Sequence, residues 1–280
     1  MTVVNQIHQI ASETAPYLLR LISKEDLLAH GLVDAELNEE VTGVCLMAFQ
    51  YNLTAPKAPK GFMTLSPYYY FSNQYHRQLS RAFKNMIVEG SPIRILKNLP
   101  LKPLVALSGI GVYGKNAITH NDVFGSAYFL YGVALLEKVD WDPIQPKDSD
   151  CGDCDQCIRA CPTGALSTPF QLEREKCLRH HMLSGEPVPE EYALLMGNRL
   201  LGCDICQLVC PKNQIDNPTA LMPDYPPSVF LIDPYLKPQP DGYQHLMGPL
   251  GEWIGKNYAR TQRVLAQCRI IDHNRYRSSI

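Results

Sequence analysis

Apolar positions along the chain change period several times, and the changes outline the elements. In residues 1–35, Ile7, Ile10, Leu18, Leu19, Ile22, Leu27 and Leu28 recur mostly at helical spacing. Pro16 is expected to start a second helix there rather than interrupt a long one. Residues 41–51 (V-T-G-V-C-L-M-A-F-Q-Y) are an apolar, β-leaning run followed by Pro56, Pro59 and Gly61, which predicts a buried strand and then a loop. Residues 75–89 set Leu79, Phe83, Met86 and Ile87 on one face and cations elsewhere, an amphipathic helix that Gly90 stops. Residues 104–107 read as a short strand, and residues 124–136 (F-G-S-A-Y-F-L-Y-G-V-A-L-L) as a central one. A polar, proline-bearing link over 140–150 leads to a cysteine-rich region, within which 190–201 is expected to be helical. Seven prolines between Pro218 and Pro240 predict an extended wrap. Residues 250–271 again carry a helical pattern, with arginines that a solvated helix face explains.

Composition narrows the class. A chain of 280 residues, 45% hydrophobic and 19% charged, holds one large or two modest globular domains. A formal net charge of -2 gives no global pull towards nucleic acid. The most apolar stretch, 123–136, is closed by Asp122 and Glu137 and falls short of the ~18–20 residues that span a bilayer. The first residues (M-T-V-V-N-Q-I-H-Q-I) lack a charged n-region and apolar h-region, so the expectation is a cytoplasmic, reducing setting and no membrane.

The cysteines change the picture most. Eight of the ten lie within residues 151–211. C-G-D-C-D-Q-C-I-R-A-C-P has the spacing C-x2-C-x2-C-x3-C-P, the bacterial ferredoxin signature for [4Fe–4S] clusters, in which the fourth cysteine ligates the other cluster. C-D-I-C-Q-L-V-C-P repeats the spacing one thiolate short, and Cys177, alone between the runs, supplies it. The expected ligand sets are Cys151, Cys154, Cys157 and Cys210 for cluster one, and Cys161, Cys177, Cys203 and Cys206 for cluster two. Two other readings compete: zinc, which paired C-x-x-C elements also hold but which does not need the crossing, and a disulfide framework, which a reducing setting disfavours. Cys45 and Cys268 lie outside the region and are expected to be buried free thiols.

Residues 108–116 (S-G-I-G-V-Y-G-K-N) hold three glycines in six residues, which lets backbone approach a ligand closely. G-I-G-V-Y-G fits G-x-G-x-x-G, yet no acidic residue stands about twenty positions on, as a dinucleotide site would have. A tight turn between strands explains the glycines equally well.

Taken in order, S-G-I-G-V-Y-G-K-N, G-S-A-Y-F-L-Y-G, C-G-D-C-D-Q-C-I-R-A-C-P-T-G-A-L and G-C-D-I-C-Q-L-V-C-P-K-N resemble the epoxyqueuosine reductase family, which is related to reductive dehalogenases. Y-H-R-Q-L at 75–79 is similar to that family's Y-H-x-x-L helix, and the resemblance covers roughly residues 40–215. It implies an α/β (α+β) fold: a nitroreductase-like corrinoid-binding domain over 1–145, a ferredoxin-like two-cluster domain over 146–215, and a proline-rich wrap with a C-terminal helix over 216–280. It also implies that Gly111, Tyr113, Gly114, Lys115 and Asn116 lie near a cobalamin cofactor, with a ferredoxin or flavodoxin as electron donor and a small molecule or corrinoid as substrate.

Two departures qualify the likeness. The family carries D-S-x-P-x-x-E-R before the glycine turn, its Asp the expected proton donor; a gapless count gives I-L-K-N-L-P-L-K at 95–102, with Ile95 for the Asp and Leu101 for the Glu. An aliphatic side chain cannot transfer a proton, which leaves Tyr113, Tyr128 or Tyr75 as candidates. The chain is also shorter at both ends than the family pattern, so it is expected to be a shortened, divergent member for which tRNA is an unlikely partner. The expected function is an iron–sulfur oxidoreductase feeding electrons to bound cobalamin, with a ferredoxin-like electron-transfer protein lacking its own substrate as the alternative.

Overall fold

Gly43–Gln50 is buried at every position, because both faces of its sheet are covered. Cys45, Met47 and Phe49 point into one core, with Ile7, Leu79, Phe83 and Tyr131. Val44, Leu46 and Ala48 point into the other, with Leu27, Leu104, Val105 and Ala134. A strand buried on both sides needs apolar side chains without alternation, as the sequence has here. In the computed structural model, which describes residues 1–32, 39–54, 57–96, 98–184, 187–214 and 229–277, this strand is the second of a four-stranded antiparallel sheet. The order is Tyr17–Ser23, Gly43–Gln50, Tyr128–Leu135, Ile93–Ile95.

Local chemistry overrides several of the expected elements. After Pro16 the chain forms the edge strand Tyr17–Ser23, not a helix: the Pro16 carbonyl accepts from Gln50 N, which seeds pairing with the central strand. Residues 104–107 belong to the helix Leu101–Ser108. Its prolines sit before or within the first turn, where a missing N–H costs little, and Gly109 ends it at φ +72°. The region 190–201 divides into the helix Glu190–Met196 and the strand Arg199–Leu201. The region 250–271 divides between the helices Gln244–Ile254 and Thr261–Arg277. Residues 218–228 of the expected proline-rich wrap lie outside the described residues, and its later part contains the short helix Asp233–Leu236.

The helix predicted at 75–89 runs Pro67–Val88, with Pro67 at its first turn, where proline is pre-organised. Leu79, Phe83 and Met86 are buried as expected, whereas Ile87 is 39% exposed and faces away from the core. This helix joins two cores: Tyr75, Leu79 and Phe83 pack under the main sheet, while Tyr69 enters a second core with Met63, Leu178, Leu201, Ile254 and Ile271. Under that second core lies a three-stranded sheet in which Phe62–Leu65 pairs parallel with Arg199–Leu201 and antiparallel with Val229–Leu231. The second core therefore crosses both boundaries drawn from the sequence, at 145/146 and 215/216. Cys45 and Cys268 are fully buried free thiols, and burial pushes Cys268 up to about 12, which leaves it inert. No helix among the described residues is long and apolar enough to cross a membrane.

Gly202, just ahead of Cys203, has φ +94°, and a Cβ there would fall on Ser66 Cβ and within 3.0 Å of Tyr69 Cε2. We expect Gly202→Ala to destabilise the iron-loaded protein by about 2 kcal/mol or more, through overpacking and a disfavoured backbone, measured by anaerobic denaturant unfolding.

Candidate metal centre and adjoining cavity

The two cysteine runs fold alike. Each places a short helix between its x2 and x3 spacings, Gln156–Ala160 and Ile205–Leu208, and these two helices pack together. In the first loop Cys154 N donates to Cys151 O at 3.0 Å, and Gly152 turns at φ +49°. Cys177 follows the short 3-10 turn Arg174–Lys176, and Cys210 opens another, Pro211–Asn213. Packing the two motifs side by side sorts the thiols. Burial, then the Cys210 and Cys151 thiols, push Cys157 up. Burial likewise pushes Cys210 up, with Cys151 and Cys154 adding to it. Around Cys206, burial leads and Cys203, Cys177, Cys157 and Cys161 follow. The neighbours fall largely into the two sets expected from the spacing.

Thiols gathered this way resist losing their protons, since each thiolate repels the others in a partly buried place. Iron between them reverses that balance, and the residues present suit it: all thiolate-forming sulfurs, four to a set.

A cavity of about 410 Å³ opens beside one set only. Cys161, Cys177, Cys203 and Cys206 lie along one wall; Tyr51, Tyr68, Lys102, Ile118, Tyr128 and Phe129 form much of the other. The lining is mainly aromatic and aliphatic, with a few polar groups. Tyr128 OH is buried beside Thr119 yet has no partner at hydrogen-bond geometry, and Ser66 Oγ stands likewise beside Asp204. Burial pushes the Tyr128 phenol well above its ordinary range, so it stays protonated. Burial, then the Arg179 charge, pulls Lys102 down, and its Nζ donates to Ala117 O at 3.1 Å. Arg179 Nε donates to Tyr69 OH at 2.8 Å, with the guanidinium over the Tyr68 ring.

The remaining sequence candidates scatter. Tyr75 is in the main core, its OH donating to Gln50 O at 2.7 Å, away from the cavity. Tyr113 sits on the two-stranded hairpin Val112–Tyr113 with Thr119–His120. Of the three glycines, Gly109 ends the helix Leu101–Ser108, Gly111 precedes the hairpin and only Gly114 stands in its turn, so the segment leads from a helix into a hairpin rather than joining two strands. Gly111 and Gly114 face protein atoms rather than open space: a Cβ on Gly111 would come within 2.5 Å of His120 O, and one on Gly114 within 2.9 Å of Asn116 Oδ1. Lys115 Nζ donates to Gly152 O at 2.5 Å. Asn116, which lines the cavity, reaches Cys206 O at 3.5 Å. Of the five residues expected near a cofactor, Asn116 alone borders the cavity. Ile95 ends a strand against the main core, and Leu101 lines the cavity.

A clasp holds the cysteine loops to the sheet. Asn213 Oδ1 accepts from Ser126 N at 2.6 Å, Asn213 Nδ2 donates to Gln207 O at 2.6 Å, and Gln207 Nε2 donates to Ser126 Oγ at 3.0 Å. His120 Nε2 pairs with Asp150 Oδ1 at 2.7 Å, and Lys212 with Asp150 and Asp122. The motif residues of C-P-K-N and G-S-A are thus accounted for by this joint. Lys102, Arg179, Asp204 and Tyr68 were missed by sequence reasoning. Arg179 and Asp204 were legible as neighbours of Cys177 and Cys203, but Tyr68 was hidden in an aromatic run with no periodic signal.

Comparison with known proteins agrees with the cysteine reading. Residues 150–213 match the model of a 4Fe-4S double cluster binding domain. Epoxyqueuosine reductase of Bacillus anthracis is 36% identical over 163 residues, 57% of this chain and 42% of that protein. Matches of this kind span 32% to 59% of the length of such curated relatives. A solved structure of selenomethionine-labelled epoxyqueuosine reductase shares the fold, with TM-score 0.77 and 19% identity over 99% of this chain and 82% of that one. Another, with TM-score 0.75 and 18% identity over 98% and 81% of the two chains, is of epoxyqueuosine reductase with a tRNA-Tyr epoxyqueuosine-modified tRNA stem loop. The expectation against tRNA, drawn from net charge and chain length, is overturned by that complex: a small net charge does not report the local surface that meets RNA.

Substitution tests the crossing. Cys157→Ser and Cys210→Ser should each remove the same cluster, about four of eight irons per chain, and Cys161→Ser and Cys206→Ser should each remove the other. Iron analysis with EPR of the reduced variants checks which pairs share a signal.

Proposed function

We propose that this relative of the epoxyqueuosine reductases is a reductase that moves electrons through two [4Fe–4S] clusters to a corrinoid seated in the cavity, and acts on an epoxide-bearing nucleoside of a tRNA loop. The observation that carries the reading is the cavity wall formed by Cys161, Cys177, Cys203 and Cys206. A cluster held there sits directly against whatever the cavity binds, while Cys151, Cys154, Cys157 and Cys210 hold the other away from it. In this reading residues 1–145 are the nitroreductase-like half and 146–215 carry the clusters. Eight thiols kept for iron also suit a reducing cytoplasm.

The cavity's composition suits a flat, amide-fringed macrocycle: aromatic and aliphatic walls for the ring, and the unpartnered hydroxyl of Ser66 for its polar edge. Such a group, when bound, supplies a cobalt centre that takes up single electrons and delivers a pair. The rest falls to the chain. Tyr51, Tyr68 and Phe129 exclude water, which strengthens every charge interaction inside. Reducing an epoxide consumes two protons with two electrons, and Tyr128, protonated and facing the cavity, is placed to supply one of them. Lys102 bears a positive charge on the same wall, where an oxygen leaving carbon gains negative charge.

A second reading, an electron-transfer protein without its own substrate, is favoured by Leu101, an aliphatic side chain on the cavity where the resemblance puts a Glu. Cobalamin separates the two. Anaerobic, iron-loaded protein should retain one equivalent with a shifted cobalt absorption band, and reductant should then convert an epoxyqueuosine-bearing stem loop. Tyr128→Phe should slow that conversion on the order of 100-fold while leaving cobalamin binding within a few-fold. Failure to retain cobalamin would leave the electron-transfer reading.

A further inference from the structure

The seat of Lys115 links the glycine turn to one cluster in particular. Its ammonium donates to the carbonyl of Gly152 at 2.5 Å, and Gly152 lies between Cys151 and Cys154 in the first loop. The turn's next residue, Asn116, reaches Cys206 O in the second run, and Lys115 O accepts from Phe170 N at 3.0 Å in the loop after Cys161. One short turn thus touches both cysteine motifs and the segment between Cys161 and Cys177.

The charges around these loops are not alike. Lys212, the other lysine against cluster one's loops, is ion-paired with Asp150 and Asp122. Arg159, within the first motif, is paired with Asp155. Among the described residues no carboxylate is within ion-pair distance of Lys115, and its partner is a neutral carbonyl. Its charge thus sits on the first loop without a direct ion pair, the nearest carboxylate in sequence being Asp153 beside Gly152. The glycines beside it are filled by His120 and Asn116 rather than by open space, which leaves the turn no cradle for a flat ligand and gives Lys115 a fixed base.

We propose that Lys115 is a potential-setting residue for cluster one: its ammonium, held on the Gly152 carbonyl, makes that cluster easier to reduce than it would otherwise be and leaves cluster two much less affected. A nearby cation stabilises the reduced, more negative cluster over the oxidised one, and net local charge and polar contacts are recognised determinants of cluster potential. The assignment rests on the two-cluster reading above, but not on the corrinoid or the RNA.

The test is an EPR-monitored redox titration of the iron-loaded protein. Lys115→Gln keeps an N–H donor for Gly152 O while removing the charge; Lys115→Arg keeps both. In Lys115→Gln one of the two reduction waves should move to lower potential, with iron content unchanged, and in Lys115→Arg both waves should stay in place. The moved wave should be the one absent from Cys157→Ser. Unmoved waves in Lys115→Gln, an equal shift of both waves, or a shift confined to the wave lost in Cys206→Ser would each overturn the proposal. Loss of iron from Lys115→Gln with iron kept in Lys115→Arg would do the same, because the charge would then hold the cluster in place rather than set its potential. A wild-type protein that takes up no iron would fail the two-cluster reading itself, an outcome distinct from all of these.

Discussion

Eight thiols gathered into two partly buried groups hold their charge only if something positive stands between them. Burial and then repulsion among neighbours push Cys206 and Cys157 towards the neutral thiol, so the arrangement is costly as bare thiolate and favourable around iron. The other features of this half of the molecule follow from holding those loops. Gly202 lets the second run press on the start of Pro67–Val88, and Ser126, Gln207 and Asn213 bind it to the strand Tyr128–Leu135. Asp150, at the start of the first run, is tied to the hairpin by His120 and to the second run by Lys212. The cavity is what remains between the clasped surfaces, and so it inherits a wall of thiols on one side and of tyrosines on the other.

The helix Pro67–Val88 carries this joint into the rest of the fold. Its first turn borders the cavity through Tyr68 and Tyr69, its middle packs the main core through Tyr75 and Leu79, and its far end covers Ile93 through Met86. A shift of the cysteine loops would be felt by this helix, and through it by both cores. Asn73 Nδ2 donates to Glu252 O at 2.9 Å, which ties the later helix Gln244–Ile254 to the same element. The C-terminal region is thereby part of the framework that positions the site.

Legibility in the sequence tracked how local the cause was. The cysteine spacing is a local rule of chemistry, and the double-cluster domain it points to is what residues 150–213 match. The central strands were legible because burial on both faces writes an unbroken apolar run. Edge strand Tyr17–Ser23 was not, because Leu18, Leu19 and Ile22 also fit a helix and the decision came from Gly43–Gln50, a partner remote in sequence. Leu101–Ser108 was misread for the opposite reason: its prolines look like breakers yet occupy positions where a helix tolerates them. The glycine turn shows the limit most clearly. Its glycines suit either a ligand or tight packing against the chain's own atoms, and only the fold shows that Gln145, His120 and Asn116 fill the space.

The account stands or falls on the second set of thiols facing the cavity's occupant. The most direct measurement is the low-temperature EPR spectrum of cobalt(II) in cobalamin-loaded protein, before and after the clusters are reduced. The account predicts that reduction broadens or splits the cobalt signal through coupling to an adjacent paramagnetic cluster, and that Cys203→Ser abolishes the effect. A cobalt signal indifferent to cluster reduction in the unaltered protein would contradict it.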